Sequence, residues 1–189
     1  MDLIRCEWCI GSEIERNYHD KEWGVPLFDD DKLFEFLVLD AFQAGLSWKT
    51  ILLKRENFRS AFDNFDALRI ANYDENKINE LMTNSGIIRN KLKITSTILN
   101  AKLFLDVQAK YGKFSNYIWQ FTNGKTIINH WKSKNEIPTT SIESDNMSKS
   151  LRSLGFKFVG STICYAFMQA SGMINDHEIN CFRYNELIL

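Results

Sequence analysis

The stretch Phe156-Lys157-Phe158-Val159-Gly160-Ser161-Thr162 decides the fold of this 189-residue chain. It lies between a polar segment with helical character that ends near Leu154 and an apolar segment that ends at Gly172. A short link that contains Gly, placed between two such segments, predicts two helices joined by a tight turn. This pairing of helices is the starting point for the rest of the chain.

The same link resembles the hairpin of a helix-hairpin-helix element, in which apolar-x-Gly-apolar-Gly separates two short helices. There, backbone N–H groups of the hairpin and of the following helix N-terminus bind a DNA phosphate. Phe158 stands where the first hairpin glycine is usual. We expect Gly160 to need backbone freedom and Lys157 to lie near a phosphate. From this stretch alone, residues 145–172 also fit an ordinary corner between two helices, and this simpler interpretation is slightly favoured.

Helical signals dominate the remaining sequence. A long helix is predicted over residues 87–111 and ends at Gly112, and a short one follows over 114–121. Residues 122–140 are the least regular and are expected to form turns or a short hairpin. The chain has only two Pro and no clear run of alternating apolar and polar residues, and both features argue for an all-α fold. Four helix N-termini are predicted at one of Asp29, Asp30 or Asp31, at Ser47, at Asp74 (the helix that Gly86 ends) and at Asp145.

Length and composition are those of one domain, residues 1–189, with an ordinary apolar share of 44%. No apolar run approaches the roughly 20 residues of a membrane helix, and a signal-peptide core is lacking. Four Cys do not suggest a disulfide framework. We therefore expect a monomer without membrane contact in a reducing cytoplasm.

Charge is distributed unevenly along the chain. Residues 87–157 hold 12 Lys and Arg against 4 Asp and Glu, so the local balance is 12 − 4 = +8. The remainder carries 11 − 20 = −9, and the whole chain −1. This asymmetry is consistent with a basic face for a polyanion or with an ordinary solvated helix face.

Candidate metal ligands stand at both ends of the chain: Cys6, His19, His177 and Cys181. Two Cys and two His are typical of a closed, tetrahedral structural zinc site with no position for a substrate water. Such a site would join residues 1–24 to residues 173–189. Alternatively, these Cys are small buried apolar residues, and Cys9 competes with His19 for a place in the site.

Several longer motifs resemble the 3-methyladenine DNA glycosylase I family, collinearly from Arg5 to Cys181. They are Arg5-Cys6-Glu7-Trp8, Tyr18-His19-Asp20-Lys21-Glu22-Trp23-Gly24-Val25-Pro26, Phe42-Gln43-Ala44-Gly45-Leu46-Ser47-Trp48, Lys54-Arg55-Glu56, Gly86-Ile87-Ile88-Arg89, Gly155-Phe156-Lys157-Phe158-Val159-Gly160 and Asn175-Asp176-His177.

The resemblance implies a helical repair enzyme of the helix-hairpin-helix glycosylase superfamily, at the bacterial nucleoid. The family flips and hydrolytically excises 3-methyladenine from alkylated double-stranded DNA, releases the free base and leaves an abasic site. It also implies one structural zinc per chain, held by the residues that match Cys6, His19, His177 and Cys181. The rivals are a binding module without catalysis and a zinc hydrolase, and HExxH, the usual motif of a zinc hydrolase, is lacking.

The resemblance places an electron-rich base pocket around Asp40, Tyr18 and Trp48, with Trp8 and Trp23 as further aromatic faces. Asp40 is expected to accept hydrogen bonds from the amine of a cationic base, and the aromatic rings to stack on it. The family usually has Glu there, so the carboxylate of this chain is one methylene shorter. Asp40 could instead end its helix on the solvent side.

Two further assignments follow from matched positions. Gly45 and Leu46 resemble the loop that enters the duplex where the base leaves, with Leu46 as the wedge. Asp176 lies where related glycosylases carry a catalytic carboxylate, but this family is thought to lack that group. Because Asp176 adjoins His177, a capping role or support of a metal ligand is expected for it.

Overall fold

The computed structural model describes residues 3–188, so residues 1, 2 and 189 of the predicted domain and terminal segments lie outside the described part. Helices make up most of it: α1 Glu13–Lys21, α2 Asp30–Gln43, α3 Trp48–Ala61, α4 Ala67–Ala71, α5 Glu75–Thr83, α6 Lys91–Tyr111, α7 Phe114–Ile118, α8 Ile142–Ser153, α9 Ser161–Ala170 and α10 Phe182–Glu186. Two short strands, β1 Ile127–Ile128 and β2 Ile174–Asn175, complete the regular structure with four short 3₁₀ turns.

Three of the predicted helix starts are confirmed, and one is wrong. The side chains of Asp29, Ser47 and Asp74 each accept a hydrogen bond from a backbone N–H in the first turn of α2, α3 and α5. Helix α8 begins earlier than predicted, because Ser141 forms a capping box with Ser144. The predicted cap Asp145 lies in the first turn of α8 instead.

Two helix boundaries also differ from the prediction. Helix α5 ends at Thr83, before Gly86, and α6 begins at Lys91, because the side chain of Asn90 caps its first turn. The end of α6 at Gly112, with a φ of 81°, is confirmed. The segment predicted as one helix over 114–121 divides into α7 and a 3₁₀ turn.

Residues 122–140 contain turns and one short strand, and they do not form a hairpin among themselves. Strand β1 pairs in parallel with the distant β2, with Ile127 opposite Ile174 and Ile128 opposite Asn175. The chain is therefore mostly helical rather than all-α in the strict sense. A two-residue strand has too little alternation to be read from sequence. The segment between His177 and Cys181 follows β2 as a loop and turn and is not helical.

Helix α2 lies at the centre of one connected apolar core, with every residue from 33 to 42 buried. It packs against α3, α6, α7 and α9. A helix buried on all faces is expected only in the middle of a structure. Asp40 therefore lies in the interior, with 2% of its surface exposed, and not on the solvent side. In the described part of the chain, no helix is both long and apolar enough to cross a membrane.

Helices α8 and α9 pack against each other across the link that was read as a hairpin. Within this link, Gly155 and Phe158 adopt positive φ values of 100° and 56°. Gly160 has a φ of −64° and is the N-cap of α9, so the expectation that it needs unusual backbone freedom is wrong. An added Cβ at Gly160 would instead meet Arg152 Nη2 at 3.3 Å.

Gly172, which follows the end of α9, packs directly against the backbone of Val25 and Pro26. Its φ is 69°, and an added Cβ would lie 2.3 Å from the carbonyl carbon of Val25 and 2.4 Å from Pro26 N. Next to it, Leu27 N donates to Ser171 O at 3.0 Å. Only glycine permits this close approach of two backbones.

We expect Gly172→Ala to lower the free energy of unfolding by about 2–5 kcal/mol, because it combines overpacking with a left-handed conformation. Gly124→Ala is the matched control, since Gly124 has a φ of 72° but no atom within 4 Å of an added Cβ. The control isolates the conformational part, about 1–2 kcal/mol. Urea unfolding measures both, and equal losses would contradict the close packing.

Candidate functional site

A pocket of about 210 Å³ opens beside the C-terminal half of α2 and is large enough for one heterocyclic base. Aromatic and apolar side chains make up most of its wall. Ten residues line it: Trp8, Tyr18, Trp23, Asp40, Gln43, Trp48, Ile137, Ala166, Gln169 and Ala170. The five residues that the sequence assigned to a base pocket thus lie around one cavity.

Local structure places the aromatic rings of this pocket. Tyr18 lies in the last turns of α1, and Trp48 is the first residue of α3, directly after the cap Ser47. The rings of Tyr18 and Trp48 are 5.3 Å apart between centroids, and those of Trp8 and Trp23 are 5.1 Å apart. These spacings are typical of interacting aromatic pairs, so the rings form a continuous electron-rich wall.

Asp40 is the acidic group of the pocket, and its Oδ2 is buried without a hydrogen-bond partner. Trp8 Nε1 and Trp48 Nε1 are likewise buried and unpartnered. Burial raises the pKa of Asp40 well above its usual value. Burial is also the main reason why the pKa of Tyr18 is raised, with the charge of Asp40 adding to it. An unsatisfied buried polar atom is costly, so this set of one acceptor and two donors is suited to a polar, planar ligand.

Sequence reasoning missed the opposite wall of the pocket. Ala166, Gln169 and Ala170 are spaced three and four residues apart on α9 and so share a helix face. This spacing was a signal that could have found them. Ile137 comes from the irregular segment 122–140, and nothing in the sequence indicated its place.

Asp176 lies behind this wall and is 1% exposed. Its carboxylate accepts four hydrogen bonds of 2.7 Å, from Asn129, Trp131, Tyr165 and Gln169. Because a carboxylate only accepts, the amide nitrogen of Gln169 must face Asp176. Asp176 is therefore fully used in holding neighbouring side chains.

The four candidate metal ligands meet in one buried cluster. All four ligand atoms of Cys6, His19, His177 and Cys181 lie within 4.8 Å of one another. His177 Nδ1 is 3.6 Å from Cys6 Sγ, 3.5 Å from Cys181 Sγ and 3.2 Å from His19 Nε2. Tetrahedral zinc, with bonds of about 2.0–2.3 Å to N and S, fits these separations. Cys9 is outside the cluster, where its thiol donates to Cys6 O at 3.1 Å.

The surroundings of the two histidines also fit a metal site. His19 Nδ1 is 2.8 Å from Asp20 Oδ1, and His177 Nε2 is 3.1 Å from Trp23 O. Such partners on the second ring nitrogen orient a metal-binding imidazole. The close approach of the two cluster thiols raises the pKa of Cys6 and lowers that of Cys181, and the contacts of Cys181 with His177 and His19 lower it further. The cluster can hold a metal ion.

The predicted DNA-contacting residues lie in two separate places on the surface. Gly45 has a φ of 82° and nothing within 4 Å of an added Cβ, and Leu46 is 40% exposed beside it. Lys157 is exposed on the link between α8 and α9, whereas Gly160 is only partly exposed. Gln43, at the base of the loop, lines the pocket, whereas Leu46, Lys157 and Gly160 are not among its lining residues.

Residues 8–184 match the family model described as methyladenine glycosylase. Among curated proteins, the chain is 44% identical to DNA-3-methyladenine glycosylase 1 of Escherichia coli (strain K12), covering 96% of this chain and 97% of that protein. It is 45% identical to DNA-3-methyladenine glycosylase of Haemophilus influenzae (strain ATCC 51907 / DSM 11121 / KW20 / Rd), with 94% and 96% covered.

Solved structures agree with these relatives. A crystal structure of 3-methyladenine DNA glycosylase I is similar with a TM-score of 0.91 at 46% identity, covering 95% of this chain and 98% of that one. The Staphylococcus aureus 3-methyladenine DNA glycosylase I, solved to explain 3-methyladenine recognition, matches with a TM-score of 0.91 at 32% identity over 94% and 95%. With sequence and fold in agreement over almost the whole chain, this protein belongs to the methyladenine glycosylase family.

Proposed function

We propose that this chain is a monofunctional DNA glycosylase that flips 3-methyladenine out of alkylated double-stranded DNA and hydrolyses its N-glycosidic bond. The product is the free base, and an abasic site remains for base excision repair. The observation that carries the proposal is the aromatic pocket with the unpartnered Asp40 Oδ2 and two unpartnered tryptophan N–H groups. The names of the family's relatives support the same substrate.

The pocket chemistry suits a methylated adenine. Methylation at N3 makes the nucleoside a cation, which aromatic faces and a carboxylate attract. The exocyclic amine can donate to Asp40 Oδ2, and the ring nitrogens can accept from Trp8 or Trp48 Nε1. A base in a duplex cannot reach such a site, so the nucleotide must leave the stack.

Cleavage of the N-glycosidic bond then requires little chemical assistance from the protein. The C1′–N9 bond breaks with its electron pair moving to the base, which neutralises the base, and water adds to C1′ and loses a proton to solvent. A cationic base is already a good leaving group, so no acid is required to protonate it. Holding the extruded nucleotide in the pocket supplies the catalysis. We assign this holding role to Asp40, Tyr18 and Trp48, with Trp8 and Trp23 completing the wall.

We assign the duplex contacts to the exposed loop and to the link between α8 and α9. Leu46 fills the space that the base leaves, and Gly45 allows its loop to turn. Lys157 and the backbone at Gly160 approach a phosphate, as in a helix-hairpin-helix element. The protein then acts as a single domain and a monomer on chromosomal DNA.

For the cluster, we propose one structural zinc ion held by Cys6, His19, His177 and Cys181. Four protein ligands leave no position for a substrate, so the metal has no part in the reaction. Trp23 supports this arrangement, because its carbonyl accepts from His177 while its ring lines the pocket. The metal would thus stabilise one wall of the base site.

The first test of this function is the pocket carboxylate. We expect Asp40→Asn to slow release of 3-methyladenine from methylated duplex by about ten- to a hundredfold, because an amide donor would face the amine of the base. Trp48→Ala should weaken binding of the free base by about 1–3 kcal/mol of lost stacking. Asp40→Glu restores the usual residue of the family and should keep substantial activity. Excision by Asp40→Asn at the parent rate would contradict the assignment.

The stability of Asp40→Asn should also depend on pH differently from the stability of the parent protein. Since the pKa of Asp40 is raised in the folded state, the native protein binds a proton more tightly than the unfolded chain, and stability falls as pH rises. Asp40→Asn lacks this loss. Its melting temperature should match the parent below about pH 4, where both states are protonated. The excess should grow as the pH rises towards the raised pKa of folded Asp40 and level off above it.

The second test concerns the metal. We expect about one zinc ion per chain, because the cluster has the ligand set of a single tetrahedral site, and Cys181→Ser should lose both the metal and thermal stability. Cys9→Ser is the matched control, because Cys9 is buried beside Cys6 but outside the cluster. Metal analysis and melting curves give the comparison. A metal-free protein of full stability would refute the zinc site.

The third test concerns the DNA backbone. We expect Lys157→Glu to weaken binding to every duplex sequence similarly, and to reduce the salt dependence by about one phosphate contact. Lys32→Glu is the control, since Lys32 is an exposed lysine in the first turn of α2, at the end far from Leu46. Fluorescence anisotropy at several salt concentrations measures both. A loss confined to one sequence would contradict a phosphate contact.

A further inference from the structure

At the C-terminal end of α2, Leu46 N donates to Gln43 O at 2.6 Å, but the N–H of the C-cap residue makes no backbone hydrogen bond to the helix. The helix ends at Gln43, and its C-cap Ala44 has a φ of −46° and a ψ of 113°, outside the helical and left-handed regions. The last carbonyl groups of a helix need other partners. Lys93 provides them, because its Nζ donates to Phe42 O at 2.8 Å and to Ala44 O at 2.7 Å.

Lysine is an unusual residue to cap a helix end at a buried position. Lys93 is 7% exposed, and burial lowers its pKa with no contribution from a neighbouring carboxylate within residues 3–188. Burying an ammonium group without an ion pair is unfavourable. The two carbonyls at the negative end of the α2 dipole compensate the charge in part, and the ring of Phe158 lies 6.0 Å from Nζ. The contact with Phe158 brings the link between α8 and α9 next to the end of α2.

A second residue of α6 fixes that link. Asn100, seven positions after Lys93 and therefore on the same face two turns on, exchanges two hydrogen bonds with the backbone of Lys157. Its Nδ2 donates to Lys157 O at 2.9 Å, and its Oδ1 accepts from Lys157 N at 2.8 Å. One continuous helix thus holds the loop that carries Leu46 and the link that carries Lys157.

We propose that Lys93 is a positioning residue for base flipping. By capping α2, it sets the loop of residues 43–46 at a fixed distance from the link between α8 and α9. Leu46 then enters the duplex at the nucleotide opposite the pocket when Lys157 is at the phosphate backbone. This inference rests on the proposed function. It assigns no contact with DNA or with the base to Lys93 itself.

The test uses two duplexes of one sequence, each with a single 3-methyladenine. In the first the lesion faces thymine, and in the second it faces an abasic site, so that no pair has to be broken. We expect Lys93→Met to slow single-turnover excision about tenfold or more on the paired duplex, since two charge-assisted hydrogen bonds are lost. On the second duplex the loss should shrink to less than about threefold, because unpairing is no longer needed.

Several controls separate positioning from simple destabilisation. Lys93→Arg keeps a charged donor and should recover most of the paired-duplex rate. Lys32→Met removes a lysine from the other end of α2 and should leave both rates unchanged. Affinities of Lys93→Met for free 3-methyladenine and for undamaged duplex should equal those of the parent. If Lys93→Met does not fold, Lys93→Gln, which keeps a neutral donor, replaces it in the same comparison.

Equal losses on the two duplexes would overturn the proposal, because a general structural defect does not depend on base pairing. A weakened affinity for undamaged duplex would overturn it as well and would make Lys93 a phosphate contact. Failure of the proposed function looks different, since the parent protein would then release no 3-methyladenine from either duplex.

Discussion

Burial of α2 from residue 33 to residue 42 is the constraint on which the rest of the structure depends. Residues 33–42 have no solvent-facing side, so the surrounding helices must cover the helix all round. Apolar side chains satisfy this packing at every position except Glu35, which accepts hydrogen bonds from Arg55 and Arg59, and Asp40. Asp40 brings a carboxylate into the interior, and its unpartnered oxygen faces the pocket that the covering elements leave open. The core and the candidate active site are therefore parts of the same arrangement.

The two ends of the chain complete that arrangement. Cys6 and His19 meet His177 and Cys181, and Trp23 connects this cluster to the pocket. Gly172 allows the end of α9 to lie directly on the backbone at Val25. Most of the pocket wall comes from the N-terminal segment and from α9, so the contacts between these parts of the chain shape the pocket.

Helix α6 has the corresponding part at the loop and the link to which we assign the duplex contacts. Lys93 holds the end of α2, and Asn100 holds the backbone at Lys157. The proposed wedge loop and the proposed phosphate-contacting link are distant in sequence, but side chains of the single helix α6 contact both. A glycosylase needs the separation between such a loop and link to match the geometry of its duplex, because base extrusion and backbone contact occur together.

The sequence by itself determined the helical class, three of the four predicted helix starts, the four members of the Cys and His cluster and the family. Helix caps and apolar spacing act locally, and the family motifs can be recognised directly in the sequence. Tertiary structure alone decided the pairing of β1 with β2, the place of Ile137, the four donors on Asp176 and the capping of α2 by Lys93. These contacts join residues far apart in the chain, and no local pattern records such a contact. The early start of α8 has a local cause, which is the capping box that Ser141 forms with Ser144. The prediction of Asp145 as the cap did not take this capping box into account. Gly160 is a second case in which a local pattern gave the wrong prediction. A glycine in a motif does not reveal which residue of the turn takes the positive φ, and here Gly155 and Phe158 take it.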